Sequence, residues 1–517
     1  MSLSKQSFLH GTLLLIMAGM ITRLLGFVNR IVTARLMGEE GVGLYMMAMP
    51  SLFLIITLTQ IGLPIAISKR VAEANAQNDH KKIKQIITIA IIIITCTSIF
   101  FTICMIVCAP IIAKVFLTDD RTLLPLYAIS PTITIIAFAS IIKGYFQGMQ
   151  NMKPQSIAIV IEQFIRITAV FILVYIFIPH GIDYAAMGAM LSIVIGEIAA
   201  LVYLTHKFKQ QKVISVRKNF FTTIKGTKKV RKEMFSIALP NTGGRLINSF
   251  GAFLEPILVS HSLQIAGIHV HRATSQYGEL TGYAIPLLHL PTFITNSLSI
   301  ALVPSISELA AKKNKRAVQH RIQQAVRISF ASGALATIVF ILFSHTILTY
   351  MYGTSNASKY VVFLAPFFLL MYIQAPLQSA LFALDLAKYA MWNSFIATFV
   401  KFSVLFILAS NPTFGMMGVA IAMSTGIVLI TSLHIYILHK KVRFTIPMID
   451  CIKMIILFST TLYIGLHLKR SILYTANTFV YFLFLLTILT IIYIVLLILL
   501  RFITKEEWKQ IPLFQHK

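Results

Sequence analysis

The chain has 517 residues, 57% hydrophobic and only 12% charged, with a formal net charge of +28 and a mean hydropathy of +0.81. Soluble domains carry about twice that charged share, so a soluble fold is excluded, and with it the nucleic-acid partner that such a basic excess would otherwise suggest. An all-α, multi-pass membrane protein remains.

Windows of about 20 apolar residues predict fourteen membrane helices. They fall at 11–36, 43–67, 84–112, 123–148, 156–178, 183–205, 233–260, 279–303, 322–348, 358–384, 388–409, 415–438, 447–467 and 473–501. The first runs past Arg23 without a small-residue cleavage site, so it is expected to remain as helix rather than leave as a signal peptide. Turn residues punctuate the breaks, as in PHGID at 179–183, MYGTSN at 351–356 and SNPTFG at 410–415. Cys96, Cys104, Cys108 and Cys451 lie in or beside apolar spans and read as small hydrophobes rather than as disulfides or metal ligands.

Lysine and arginine alternate with the helix count. With a cytoplasmic N-terminus, the inner segments hold Lys69, Arg70, Lys81, Lys82 and Lys84, the run from Lys207 to Lys232, Lys312 to Arg321, and Lys440 to Arg443. Outer connections hold a scatter, and the positive-inside rule then puts both termini in the cytoplasm. The basic stretch 206–232 reads first as a determinant of topology and next as a contact for anionic lipid.

That stretch also divides the chain. Residues 126–155 and 362–390 align at an offset of 235, which places Pro131 over Pro366 and Arg166 over Lys401; TRLLGF at 22–27 echoes GRLINSF at 244–250, placing Arg23 over Arg245. We therefore expect an N-lobe of six helices (1–206), a linker (207–232), a pseudo-symmetric C-lobe of six helices (233–440), and two further helices with a tail (441–517). The fourteenth helix is apolar nearly all round and is expected to face lipid on most sides.

Arg23 lies about 18 Å into a hydrocarbon core of about 30 Å, beyond the reach of snorkelling. Arg166, Arg245, Lys401 and Glu197 are equally central, and each such charge costs about 2.5–3.5 kcal/mol on insertion scales. Arg35, Lys143, Arg327 and Lys453 lie near span ends, where snorkelling accounts for them. Glu162 precedes Arg166 by four residues and is its natural helix partner. Arg23, Arg245 and Lys401 have no acid three or four positions away, and Arg30 shares the face of Arg23. An interior with surplus cations suits an anionic substrate, because guanidinium grips phosphate oxygens in bidentate fashion, and Arg23, Arg30, Arg166, Arg245 and Lys401 are the candidate substrate contacts. Glu255, Glu197 and Asn393 are candidates for ion or proton coupling, with a helix–helix hydrogen bond as the competing role for each.

TRLLGFVNRIVTARLMGEEGVGLY (22–45), QIGLPIAISKRVAEA (60–74), KGYFQGMQNMKP (143–154), QYGELTGYAIPLL (276–288) and APFFLLMYIQAPLQ (365–378) resemble the stage V sporulation protein B family. This is a branch of the multidrug/oligosaccharidyl-lipid/polysaccharide exporter superfamily, with the MurJ-type lipid II flippases and the MATE antiporters. The resemblance spans essentially the whole chain. It implies two lobes that move a lipid-linked sugar precursor by alternating access, with head-group contacts at Arg23 and Arg245. The family pattern has Arg-Asp after Gly-Phe where this chain has Val28-Asn29-Arg30, so the second arginine is shifted by one position. The resemblance also implies a groove for the polyprenyl tail on the last two helices, membrane lipids and cell-wall synthesis proteins as partners, and a role in making spore cortex peptidoglycan.

Rival functions fare less well. Asp119 and Asp120 read as a solvated loop pair, and His269 and His271 lack a carboxylate or thiol partner in the sequence. No nucleophile motif, P-loop or nucleotide fingerprint occurs, so neither an enzyme nor ATP coupling is expected. No cofactor is expected beyond a coupling ion of open identity. A multidrug cation antiporter shares the implied fold but calls for carboxylates facing its cargo; a flippase for another lipid-linked polysaccharide fits the same charges.

Overall fold

A computed structural model describes residues 8–211, 228–472, 479–500 and 502. All regular structure among them is helical. Packing divides the chain into two units, Met1–Gly278 and Glu279–Lys517.

The first unit comprises α1 (Phe8–Gln60), α2 (Leu63–Ala76), α3 (His80–Ile111), α4 (Leu123–Ile129), α5 (Thr132–Gly148), α6 (Lys153–Phe177), α7 (Ile182–Gln211), α8 (Lys228–Ile265) and α9 (Val270–Tyr277). In the second are α10 (Ile285–Leu288), α11 (Thr292–Ala311), α12 (Lys315–Tyr352), α13 (Ser358–Ala383), α14 (Ala387–Ala409), α15 (Met416–Val442), α16 (Met448–Ile472) and α17 (Phe479–Leu499).

Twelve helical stretches among the described residues are long and apolar enough to cross a membrane. Gly19–Ala76, one of the twelve, takes in the first two predicted helices. Where the sequence suggested a loop at 37–42, a single residue, Gly38, leaves helical geometry (φ 68°), a conformation open to glycine at little cost. The seventh predicted span lies within α8, which is too polar to enter the twelve.

The fourth predicted span, 123–148, lies within Asp120–Gly148, another of the twelve, and carries a break at Ser130 and Pro131 between α4 and α5. One predicted span needs correction. The eighth, 279–303, is a π-helical turn, the short α10 and a break before Pro291, so that its long helix is α11. Proline lacks the N–H that would continue a helix and clashes with the preceding turn. Pro366 is nonetheless carried inside α13.

Leu63, Ile67, Ile87, Tyr145 and Ala238 centre the core of the first unit; Ile306, Ile322, Leu377, Leu438 and Leu457 centre that of the second. The last helix, α17, buries one stripe, Leu485, Leu489 and Tyr493. The rest of it is largely exposed, as its apolar circumference led us to expect.

The offset of 235 recurs in the backbone. Asn78 and Lys313 (φ 55° and 54°), Thr118 and Gly353 (54° and 82°), and Gln150 and Asp385 (56° and 57°) are positive-φ pairs at that spacing. So are two helix caps: Asp79 accepts from the Lys82 N–H, and Asn314 accepts from the Ala317 N–H. The α6–α7 and α14–α15 hairpins cross alike. A Cβ on Gly188 or Gly196 would meet Leu173 and Arg166, and one on Gly418 or Gly426 would meet Leu408 and Lys401. Arg166 and Lys401 thus hold matching places in their hairpins, as the alignment suggested.

Repeat and packing divide the chain at different points. Helix α8 opens the second repeat, yet it packs on α1, α2 and α3 of the first unit.

Candidate functional site

Helix α1 presents Arg23 and Arg30 exposed, and α8 presents Arg245 exposed; none of the three forms an ion pair with a described residue. The two helices are held together one turn beyond Arg245, where Ser249 Oγ lies 2.9 Å from Thr57 Oγ1. Within α1, Asn29 is buried beside Arg30, and its carbonyl accepts the Thr33 hydroxyl at 2.7 Å.

Arg166, on α6, behaves differently. Its guanidinium lies 3.5 Å from Glu162 and donates to Gln163, so the pairing anticipated from the i,i+4 spacing is present. Arg30 and Arg166 are both charged neighbours of Tyr45 on α1, which the sequence reading did not single out. In the second unit Lys401 is half-buried, with Nζ 4.8 Å from the centroid of the Phe402 ring.

The three coupling candidates have separate settings. Glu197 is buried on α7, near Glu162, Lys143 and Arg166. Glu255 is half-buried on α8 and has Tyr277 as an electrostatic neighbour. Asn393 is buried on α14, where its amide lies 3.2 Å from Nδ1 of the fully buried His434 on α15, the helix–helix contact weighed for it.

Three expectations are corrected. Asp119 is 3% exposed rather than solvated: it accepts two bonds from the Arg121 guanidinium, at 2.9 and 2.7 Å, and one from Thr274 at 2.7 Å. His271 has a carboxylate partner, Glu40, at 2.8 Å, and Glu40 also pairs with Arg121 at 2.5 Å. Arg327 does not simply snorkel; it lies 3.8 Å from Asp450 on α16. Arg121 stands two residues from Asp119, but Thr274, Glu40 and Asp450 are far in sequence from the groups they meet, and no local spacing announces them. Burial alone would raise the Asp119 carboxyl, but the hydrogen bonds from Arg121 and Thr274 outweigh it and hold the group below its ordinary value.

At the other end of the first unit, Glu233 of α8 lies 3.6 Å from Arg70 of α2 and 3.9 Å from Lys82 of α3. Among the described residues no cluster of three or more His, Cys, Asp or Glu side chains is suited to a metal ion.

The family described as polysaccharide biosynthesis protein matches residues 8–310, and the MatE family matches 280–407. Stage V sporulation protein B of Bacillus subtilis (strain 168) is 47% identical over 511 residues, covering 99% of each chain. The lipid II flippase MurJ of the same organism is 24% identical over 365 residues, 67% of this chain and 66% of that one. Among solved structures, a lipid II flippase MurJ in an inward closed conformation superposes with a TM-score of 0.70 at 16% identity, over 95% of this chain and 99% of that chain. An inward-facing multidrug resistance MATE family transporter of the MOP superfamily gives 0.64 at 16% identity, over 82% and 94%. These superpositions show a shared fold: an all-α membrane protein of the MATE and MurJ type. The chain belongs to the polysaccharide biosynthesis protein family, with stage V sporulation protein B as a full-length relative.

Proposed function

We propose that this protein is a flippase that moves a lipid-linked cell-wall precursor across the cytoplasmic membrane by alternating access. The substrate is a lipid II-like undecaprenyl-pyrophosphate sugar destined for spore cortex peptidoglycan. One observation carries the reading: three guanidinium groups, Arg23 and Arg30 on α1 and Arg245 on α8, stand exposed without ion pairs among the described residues.

A precursor of this class has a tail that prefers the bilayer and a pyrophosphate head that does not. Arg23 and Arg245 hold the pyrophosphate oxygens, and Arg30 adds to the field along the face of α1. Arg166, engaged by Glu162 and Gln163, and Lys401, its counterpart in the second repeat, set the surrounding potential rather than grip the head. The full-length relative and the MurJ relative support this assignment by kinship. A positive field of this kind repels the organic cations of a multidrug antiporter. The protein acts as a transporter rather than an enzyme, with both termini in the cytoplasm.

The test is replacement of Arg23 and of Arg245 singly by alanine, with membrane levels checked, in a sporulating strain that lacks the native protein. Hydrogen bonds to a charged group contribute about 1.5–3 kcal/mol, so each variant should lose roughly tenfold or more in transport and fail to restore cortex. Full cortex synthesis from both would overturn the assignment, and vesicles loaded with labelled precursors of different sugar content distinguish the substrate class.

A further inference from the structure

Glu197 is 8% exposed, and its Oε2 is buried with no hydrogen-bond partner. Across the helix crossing lies Glu162, also 8% exposed; a Cβ on Gly196 would fall 3.0 Å from the Glu162 carbonyl oxygen and 3.6 Å from its Cγ. Two membrane-embedded carboxylates therefore meet at one level of the α6–α7 hairpin. Among the described residues, the charges that act on Glu197 come from α5 and α6: Lys143, Glu162 and Arg166. Arg166 is already engaged by Glu162 and Gln163. Lys143 forms no ion pair with a described residue and acts only through its field.

The fold does not require this acid. The second repeat builds the same crossing at Gly426 with Ile427 as the next residue, and Ala397 stands where Glu162 would recur. An unpaired carboxylate in a membrane helix is costly, and a feature that one repeat omits without losing the crossing calls for a use other than packing. A resident metal ion is a poor occupant, because among the described residues no third acid, histidine or cysteine joins the pair. A proton neutralises the carboxylate with no further ligand.

We propose that Glu197, with Glu162 across the crossing, is a proton-carrying site that couples a transmembrane proton gradient to movement of the substrate; this rests on the flippase reading above. The carboxylate takes one proton from hydronium at one membrane face and returns it to water at the other, and no electron is transferred. When Glu197 is ionised it competes with Glu162 for Arg166. When neutral, it leaves Arg166 to Glu162. Proton occupancy thus adjusts the positive field that Arg166 shares with Arg30 around Tyr45.

The experiment uses the full-length protein in proteoliposomes containing fluorescently labelled lipid II, with and without an imposed pH gradient. Wild type should flip severalfold faster in one gradient direction, and Glu197→Gln should flip at the same rate whatever the gradient. Glu308→Gln, at an exposed residue paired with Lys312, should respond as wild type does. Glu197→Ile copies the second repeat and supplies a second variant should the first not fold. Infrared difference spectroscopy across a pH step needs no substrate: a titrating carboxyl band should be present in wild type and missing from both Glu197 variants. A gradient response that survives in Glu197→Gln, or a band that survives in either variant, overturns the proposal. Wild-type vesicles that move no labelled lipid II overturn the substrate reading instead, and the infrared band still decides the proton site.

Discussion

Arg23 and Arg245 keep their guanidinium groups exposed on α1 and α8, and lysine is no substitute there. A lysine keeps the charge but loses the planar fork that meets two phosphate oxygens at once. Arg23→Lys and Arg245→Lys should therefore fall between wild type and the alanine variants in the initial rate of labelled lipid II movement, with a loss of about threefold at each position. A lysine variant as fast as wild type would show that a point charge suffices. The Glu162–Arg166 pairing was legible from sequence because it follows from helical spacing alone. The Asp450 partner of Arg327, the Glu40 partner of His271 and the Thr274 bond to Asp119 were not legible. They come from residues 123, 231 and 155 positions away respectively, where helical spacing carries no information.

Asp119, Arg121, Glu40, His271 and Thr274 join three elements of the first unit: the α1 segment after Gly38, the turn before α4, and α9. Arg121→Ala strips the nearly buried Asp119 of its cation. It should cost about 2–3 kcal/mol, read as a drop of several degrees in the Tm of the detergent-purified protein. The pH dependence has a definite sign. The folded carboxyl titrates below its ordinary value, so its stabilisation is complete above about pH 4 and is lost as pH falls through the folded value. A Tm series should show an acid limb that is shallower in Asp119→Asn; an identical limb would put the acid sensitivity elsewhere. Element boundaries were readable where proline or glycine punctuates the chain, but not whether a given proline breaks its helix. Pro131 and Pro291 do and Pro366 does not, because tertiary packing decides which helix is carried through.

The duplication is visible in one contact more directly than in the alignment. A Cβ on Gly43 would fall 2.0 Å from the carbonyl oxygen of Thr274, and one on Gly278 would fall 2.0 Å from that of Glu39. Both pairs, 43 with 278 and 39 with 274, are 235 apart, so the contact is reciprocal, as contacts about a twofold are. Backbone oxygens cannot yield to a methyl group, and Gly278→Ala should cost about 1–3 kcal/mol through overpacking of this approach. Alternating access needs some contact between the repeats to part in each cycle, and this one carries polar ties, Glu40 to His271 and Asp119 to Thr274. Glu40→Cys with His271→Cys, in a chain whose four native cysteines are replaced, should be joined by a short bifunctional thiol reagent. Lipid II movement should stop on joining and return when a cleavable reagent is reduced. Full transport by the joined protein would mean that the repeats work without separating at this point, and the parting would then have to be sought elsewhere in the fold.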